Sequence, residues 1–353
     1  MRTLPVHNPV NRFHDSHVEY DAEHVPDAGF ELIDDHSKSV LSKNRSPDIG
    51  FTFSVNPYRG CVHACAYCYA RPGHEYLGLG AGTDFDRKIV VKRDAARLLR
   101  EAFAGASWRR ASAHGTPRVV FSGVTDCYQP PEKQLQITRE CLQVCSEFRV
   151  PVGLITKSAL IERDLDVLGE LQARAGAHVA VSMPFFDAEL ARALEPYAPA
   201  PARRLRVIER LAEAGIEVSV NVAPLIPGLS EGEFPRVLAA AQAAGARHAG
   251  AVLLRLPGAV AEVFEQRIRV ALPLRAEKIL RRLREAHGGK LYRAEFGHRQ
   301  RGSGRYADIL FALFERRLRE LGMQPHHDLT DPTQAPKATP TSAQLDLFAT
   351  SPR

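Results

Sequence analysis

No apolar run in this 353-residue chain approaches the roughly 20 residues that a membrane-spanning helix requires. The opening stretch, MRTLPVHNPVNRFHDS, has no apolar core of the kind that marks a secretory signal. A soluble cytoplasmic protein is therefore expected. Cysteine is scarce and unevenly placed: the six fall at 61, 65, 68, 127, 141 and 145, all within one quarter of the chain. Secreted disulfide scaffolds are short and spread their cysteines, so this clustering predicts reduced thiols and metal chemistry.

Hydrophobic residues make up 44% of the chain, enough to fill one large α/β domain or two ordinary ones. The formal net charge is +6, and arginine dominates the excess in Arg203-Arg204, Arg281-Arg282-Leu283-Arg284, Arg299 to Arg305 and Arg316-Arg317. That balance suits a polyanionic partner such as DNA. Each run taken singly reads equally well as a solvated helix face.

Residues 1–48 read as a polar extension of irregular structure. Its five histidines (His7, His14, His17, His24 and His36) follow no tight metal spacing and are expected at the surface. From Phe51 onward, short β-branched or apolar runs alternate with helical patterns. The runs are Phe51–Val55, Arg118–Ser122, Val152–Thr156, His178–Ser182, Glu217–Pro224 and Ala249–Arg255. The helical patterns between them are Asp94–Ala102, Gln134–Cys145, Leu160–Arg174, Ala202–Ala214 and Phe234–Ala244. Gly215 and Gly245 stand where a helix C′ glycine is expected. Six strands alternating with helices predict a parallel sheet with right-handed crossovers. Periodicity does not separate an open doubly wound sheet from a barrel, but both put the active site at the C-terminal ends of the strands. The expected divisions are a core over 49–260, a helical C-terminal region over 261–323 and a disordered, Pro- and Thr-rich tail over 324–353. The C-terminal region holds a basic helix (Leu274–Ala286), a Gly-rich stretch (Phe296–Gly304) and an amphipathic helix (Ala307–Leu321).

Just after the first strand the chain reads Tyr58-Arg59-Gly60-Cys61-Val62-His63-Ala64-Cys65-Ala66-Tyr67-Cys68-Tyr69. Three thiolates at this spacing can wrap one face of an iron–sulfur cubane and leave one iron without a protein ligand. An open position is what a metal needs to bind a substrate or cofactor directly, whereas a closed structural site uses four ligands. S-adenosylmethionine (SAM) can chelate such an iron through its amino and carboxylate groups, and the cluster's electron then yields a 5′-deoxyadenosyl radical. The competing reading is a structural zinc site completed by His63 or His74. Zinc sites usually come as paired CxxC units, and no second unit exists in this chain.

These residues resemble the radical SAM superfamily, whose signature is CxxxCx(aromatic)C after the first strand of a partial (β/α)6 TIM-type barrel. The resemblance covers roughly residues 50–260. Asn56-Pro57-Tyr58-Arg59-Gly60-Cys61 and Val124-Thr125-Asp126-Cys127-Tyr128-Gln129-Pro130 look more narrowly like the branch related to spore photoproduct lyase, whose best-known member repairs a UV thymine lesion. The resemblance implies an α/β partial barrel with an N-terminal extension and C-terminal helices, a [4Fe–4S] cluster on Cys61, Cys65 and Cys68, and SAM as cofactor. It also implies a reductant such as flavodoxin or ferredoxin, and chemistry on DNA, with a protein, RNA or small metabolite as the alternative. A non-catalytic iron–sulfur or zinc protein is the third reading.

The resemblance further implies that Tyr67 packs on the adenine and that Gly123, Thr125 and Asp126 lie near the SAM amino group. Ser182 falls at the ribose position, Asn221 opens the adenine-facing segment, and Lys157 could meet the SAM carboxylate. Cys127 and Tyr128 follow the second strand and are candidate hydrogen donors to a product radical; packing is the competing reading. Cys141 and Cys145, at i and i+4 on one helix face, are expected to pack. Arg299, Arg301 and Arg305 could contact phosphates. Near the end, Gln344-Leu345-Asp346-Leu347-Phe348 closely resembles the peptide by which bacterial replication and repair proteins bind the sliding clamp.

Overall fold

The computed structural model describes residues 8–13 and 29–325. Its strands are β1 (Glu31–Asp34), β2 (Leu41–Lys43), β3 (Phe53–Val55), β4 (Tyr58–Arg59), β5 (Lys88–Val91), β6 (Val119–Phe121), β7 (Val152–Thr156), β8 (Ala177–Ser182), β9 (Glu217–Leu225), β10 (His248–Leu253) and β11 (Gln324–Pro325). All six expected core strands are present, as β3 and β6 to β10. They lie side by side in chain order and each pair is parallel, with Phe53 beside Val119, Val119 beside Val152 and Ser182 beside Asn221. β3 and β10 do not pair with each other, so the barrel is partial.

The strands are nearly continuous apolar runs because helices cover their outer face. Val119, Val120 and Phe121 have no solvent exposure, and Ile137, Cys141, Leu142, Val144 and Cys145 of helix Ile137–Glu147 are buried. Helix Pro201–Glu213 buries Val207, Ile208 and Leu211. Gly245 ends its helix with φ near +105°, and a Cβ there would stand 2.6 Å from Ala212 Cβ, so glycine is required.

Three regions differ from the sequence reading. Residues 29–48 are not irregular throughout: β1 pairs in parallel with β5, and β2 pairs antiparallel with β3. These strands are only three or four residues long, too short for a periodicity signal. The chain also forms helices Ala188–Leu194 and Val260–Ala271, which the pattern did not single out. Gln324 and Pro325 extend the main sheet beside β10. The remainder of the tail, Gln344–Phe348 included, lies outside the described residues, as do His7, His14, His17 and His24; His36 is exposed.

The Gly-rich stretch closes the seam between β10 and the segment before β3. Leu253 N–H donates to the Gln300 carbonyl (2.7 Å), and Gln300 Nε2 donates to the Asp48 carbonyl (2.8 Å). Arg299 is ion-paired with Asp48, its Nε at 2.6 Å from Oδ2, and Arg301 reaches Glu315 at 3.1 Å. The expected phosphate contact by Arg299 is thus corrected: its charge is already met inside the fold. Arg299→Ala is expected to lower stability by about 2 kcal/mol in urea titration, because Asp48 loses its partner in a poorly solvated position. Arg316→Ala, on the exposed pair with Glu320, should stay within about 0.5 kcal/mol.

Candidate active site

Gly60 sets the entry to the cysteine loop. Its φ is near +81°, and a Cβ there would lie 2.9 Å from His74 Cε1 and from the Phe85 and Lys88 carbonyl oxygens. The loop is then held through its backbone. Cys61 N–H donates to the Phe85 carbonyl (2.9 Å), and Ala66 N–H to the Leu194 carbonyl (2.9 Å). Gln129, fully buried, bridges Val62 N–H and the Gly60 carbonyl at 3.0 Å each. Arg71, also fully buried, donates from Nε and Nη2 to the Cys65 carbonyl, from Nη1 to the Ala81 and Gly82 carbonyls, and from Nη2 to Asp86 at 2.8 Å. All five guanidinium N–H groups are used. None of these bonds consumes a cysteine sulfur.

Cys61, Cys65 and Cys68 line one cavity of about 280 Å³ at the C-terminal mouth of the barrel. Tyr67, Gly123, Thr125, Asp126, Lys157, Ser182 and Asn221 line the same cavity, so the structure brings together every residue expected around the cofactors. Burial pushes the Cys65 thiol up to about 12 and raises those of Cys61 and Cys68 as well. Metal loading of such a set must release protons.

Behind the loop lies a buried charge network that the sequence reading missed. Glu195 accepts from the Tyr67 hydroxyl and from Arg204 Nη2, and Lys157 Nζ stands 3.9 Å from it. Arg204 also donates to the Ser182 carbonyl at 3.0 Å. Burial alone would raise the Glu195 pKa, but Arg204 and Lys157 outweigh it and hold the carboxyl below its usual range. Tyr67 is thereby fixed, its ring 5.7 Å below Lys157 Nζ. Glu195 follows a seven-residue helix, too short to draw notice by periodicity, and Arg71 carries no motif of its own.

Several of the cavity residues also make bonds within the protein. Asp126 spends both oxygens on Thr156 Oγ1, Lys157 N–H and Tyr128 N–H, tying the end of β6 to the end of β7. Thr125 Oγ1 donates to the Tyr58 carbonyl at 2.7 Å, and the Gly123 carbonyl accepts from the Tyr69 hydroxyl. Cys127 and Tyr128 are placed as the packing alternative expects, in the core and off the cavity wall. Both have no solvent exposure, neither lines the cavity, and the Tyr128 hydroxyl donates to buried Asp164 at 3.1 Å. Ser122 to Asp126, just beyond β6, line the cavity, and the turn that follows carries Cys127 and Tyr128 into the core. Cys141 and Cys145 are packed there too.

The zinc alternative fares unevenly. His63 lines the cavity with Nδ1 3.5 Å from Asp126, but His74 turns Nε2 to the Lys88 carbonyl at 2.9 Å and meets Phe85 edge-to-face. Among the described residues no three His, Cys, Asp or Glu side chains gather as tightly as a single metal ion needs. A cubane takes one thiolate per iron, and Cys61, Cys65 and Cys68 all face one cavity.

The family model of the radical SAM superfamily matches residues 55–241, from the first barrel strand through the fifth crossover helix. The chain belongs to that superfamily. Its members are enzymes that use a [4Fe–4S] cluster and SAM, and the three-thiol wall with an adjoining cavity fits both groups. Among sequence relatives, an uncharacterized protein of Mycobacterium tuberculosis is 38% identical over 212 residues, 59% of this chain and 61% of that protein. An uncharacterized protein of Methanocaldococcus jannaschii is 28% identical over 204 residues, 58% of this chain and 71% of that one. The matched region thus spans about three fifths of the mycobacterial relative. Among solved structures, spore photoproduct lyase complexed with dinucleoside spore photoproduct superposes with a TM-score of 0.61 at 16% identity, covering 83% of this chain and 81% of that one. A doubly substituted mutant of that enzyme, with bound AdoMet and dinucleoside spore photoproduct, does so at 0.61 and 17%, with the same coverage. The shared feature is the fold.

Arg71→Met is expected to free the loop. Removing one side of a buried charge contact costs about 3 kcal/mol. Amide hydrogen exchange over residues 61–71 should therefore accelerate on the order of 100-fold where local opening governs it. Unchanged exchange there would show that Arg71 is not the clamp.

Proposed function

We propose that Cys61, Cys65 and Cys68 ligate three irons of a [4Fe–4S] cluster, and that SAM fills the adjoining space, so that the protein cleaves SAM reductively and starts radical chemistry on DNA. The observation that carries this reading is convergence: the three thiols and the ends of β6 to β9 face one cavity. Bound together, the cluster and SAM supply a 5′-deoxyadenosyl radical.

The chain's own residues bind and orient. Lys157 offers a cation to a carboxylate, and Tyr67, locked by Glu195, gives a fixed aromatic wall for the adenine. Ser182 and Asn221, adjacent in register on β8 and β9, present a hydroxyl to the ribose and an amide to the adenine side. Asp126 acts by position, because its bonds fix the strand ends that shape the pocket.

DNA as substrate is supported by the +6 charge and by the fold shared with a lyase solved with a dinucleoside photoproduct. The terminal peptide Gln344–Phe348 supports recruitment by a sliding clamp, which would put the enzyme at replicating or repaired DNA. A flavodoxin- or ferredoxin-type donor would supply the electron, and the reduced thiols suit the cytoplasm. Among the described residues no helix is long and apolar enough to cross a membrane.

Anaerobic reconstitution, followed by SAM and dithionite, tests the core reading. Deoxyadenosine should form in the unsubstituted protein and fall to background in Cys68→Ala. Absence of both cluster absorbance and SAM cleavage would overturn it. UV-irradiated DNA should raise the yield severalfold if DNA is the substrate; no effect of any DNA refutes that part. Deleting residues 326–353 is expected to leave SAM cleavage intact and abolish co-elution with the sliding clamp.

A further inference from the structure

Two side-chain cations other than histidine line the cavity, and their surroundings differ. Lys157, after β7, stands 3.9 Å from Glu195. Arg255, two residues beyond β10, makes no ion pair with any described residue. Its Nε is buried without a hydrogen-bond partner; of the arginines with that feature, it is the one that lines this cavity, among the described residues. Asp126, the carboxylate on the cavity wall, is committed to Thr156, Lys157 N–H and Tyr128 N–H. Nothing described in the protein therefore answers the Arg255 charge.

The guanidinium is nevertheless placed. Its central carbon lies 5.2 Å from the centroid of the Tyr69 ring, whose own hydroxyl is pinned to the Gly123 carbonyl. A guanidinium stacked on an aromatic face keeps its N–H edge free for a planar or tetrahedral oxyanion. Tyr69 is 43% exposed, so this cation sits toward the open side of the cavity. SAM carries a single carboxylate, and Lys157, beside Tyr67, is placed to meet it. A second cation, three strands away around the barrel, calls for a second anion that enters with the substrate.

We propose that Arg255 is a substrate-binding residue that holds a phosphodiester, with the exposed face of Tyr69 and the ring of Phe51 taking the adjoining bases. Phe51 stands on the same wall, its ring 3.4 Å from the position a Gly123 Cβ would occupy. A cation flanked by aromatic rings is the usual composition of a single-strand nucleic-acid site, where rings stack on bases and arginine meets the backbone. A peptide carboxylate would use the cation but would leave the two rings without a planar partner. The inference rests on the proposed SAM-dependent reading of the cavity and names the substrate group that enters beside it.

The test uses the reconstituted holoprotein with SAM bound, and calorimetric titration with two probes. One is dithymidine joined by a phosphodiester; the other is the same dinucleoside joined by a neutral methylphosphonate. The unsubstituted protein should bind the charged probe about tenfold more tightly, as expected for a charge-assisted hydrogen bond. Arg255→Gln should bring that preference to within about twofold, and Arg255→Lys, which keeps charge without the planar fork, should fall between. Melting temperatures of both variants establish folding, and the probe preference of the unsubstituted protein stands as a test even if a variant does not fold. No preference in the unsubstituted protein, a preference that survives in Arg255→Gln, or displacement of the charged probe by an acidic peptide at equal concentration each overturns the proposal. Deoxyadenosine formation without nucleic acid is read separately in the unsubstituted protein. Its presence alongside a failed probe test removes only the Arg255 assignment; its absence removes the SAM reading itself.

Discussion

A guanidinium with no exposed surface holds the site in place. Arg71 spends all five of its N–H groups within one neighbourhood, four of them on the Cys65, Ala81 and Gly82 carbonyls and one on Asp86. A cysteine loop that must present three sulfurs to one cavity cannot use those sulfurs to fix itself. Its shape has to come from its backbone, and Arg71 and Gln129 supply that from inside the protein. The cost of burying the charge is offset because every donor is satisfied, the condition under which a buried ion is tolerated.

The same logic recurs behind Tyr67. Glu195 is buried, and it is stable there only because Arg204, Lys157 and the Tyr67 hydroxyl converge on it. In return it locks the aromatic ring that stands between two cluster-loop cysteines. Arg204 extends the network to the Ser182 carbonyl, so the cysteine loop and the end of β8 share one framework. Preorganisation of this kind lets a cavity receive a charged ligand without rearranging its walls.

The incomplete barrel sets the other boundary of the site. Because β3 and β10 do not pair, the cavity would open along the seam if the segment around Gln300 did not bridge Leu253 and Asp48. That segment reads from sequence as a Gly-rich loop with arginines available to phosphates. Its glycines do make it a loop, but Arg299 is used to fasten it. Of the two cations other than histidine that line the cavity, Arg255 makes no ion pair with a described residue, and no run or motif marks it. Charge runs in sequence record where arginines are, not which of them has a partner.

By itself the sequence determined the six parallel strands, most of the helices that cover them, and three cysteines gathered in one short loop after the first strand. These features are local: apolar runs of strand length, helical periodicity and a fixed cysteine spacing within one short loop. It also determined that Gly123, Thr125, Asp126, Lys157, Ser182 and Asn221 would stand at or just beyond strand ends, since strand positions and strand direction were readable. Tertiary structure alone decided which of those groups are free. It turned Cys127 and Tyr128 into the core, engaged both oxygens of Asp126, and paired Glu195 with Arg204 and with Tyr67, the latter 128 residues away in the chain. Hydrogen-bond satisfaction is a property of neighbours in space, and those neighbours come from elements whose separation in sequence carries no periodic signal. The strands could be read from the chain; what each strand end offers to a ligand could not.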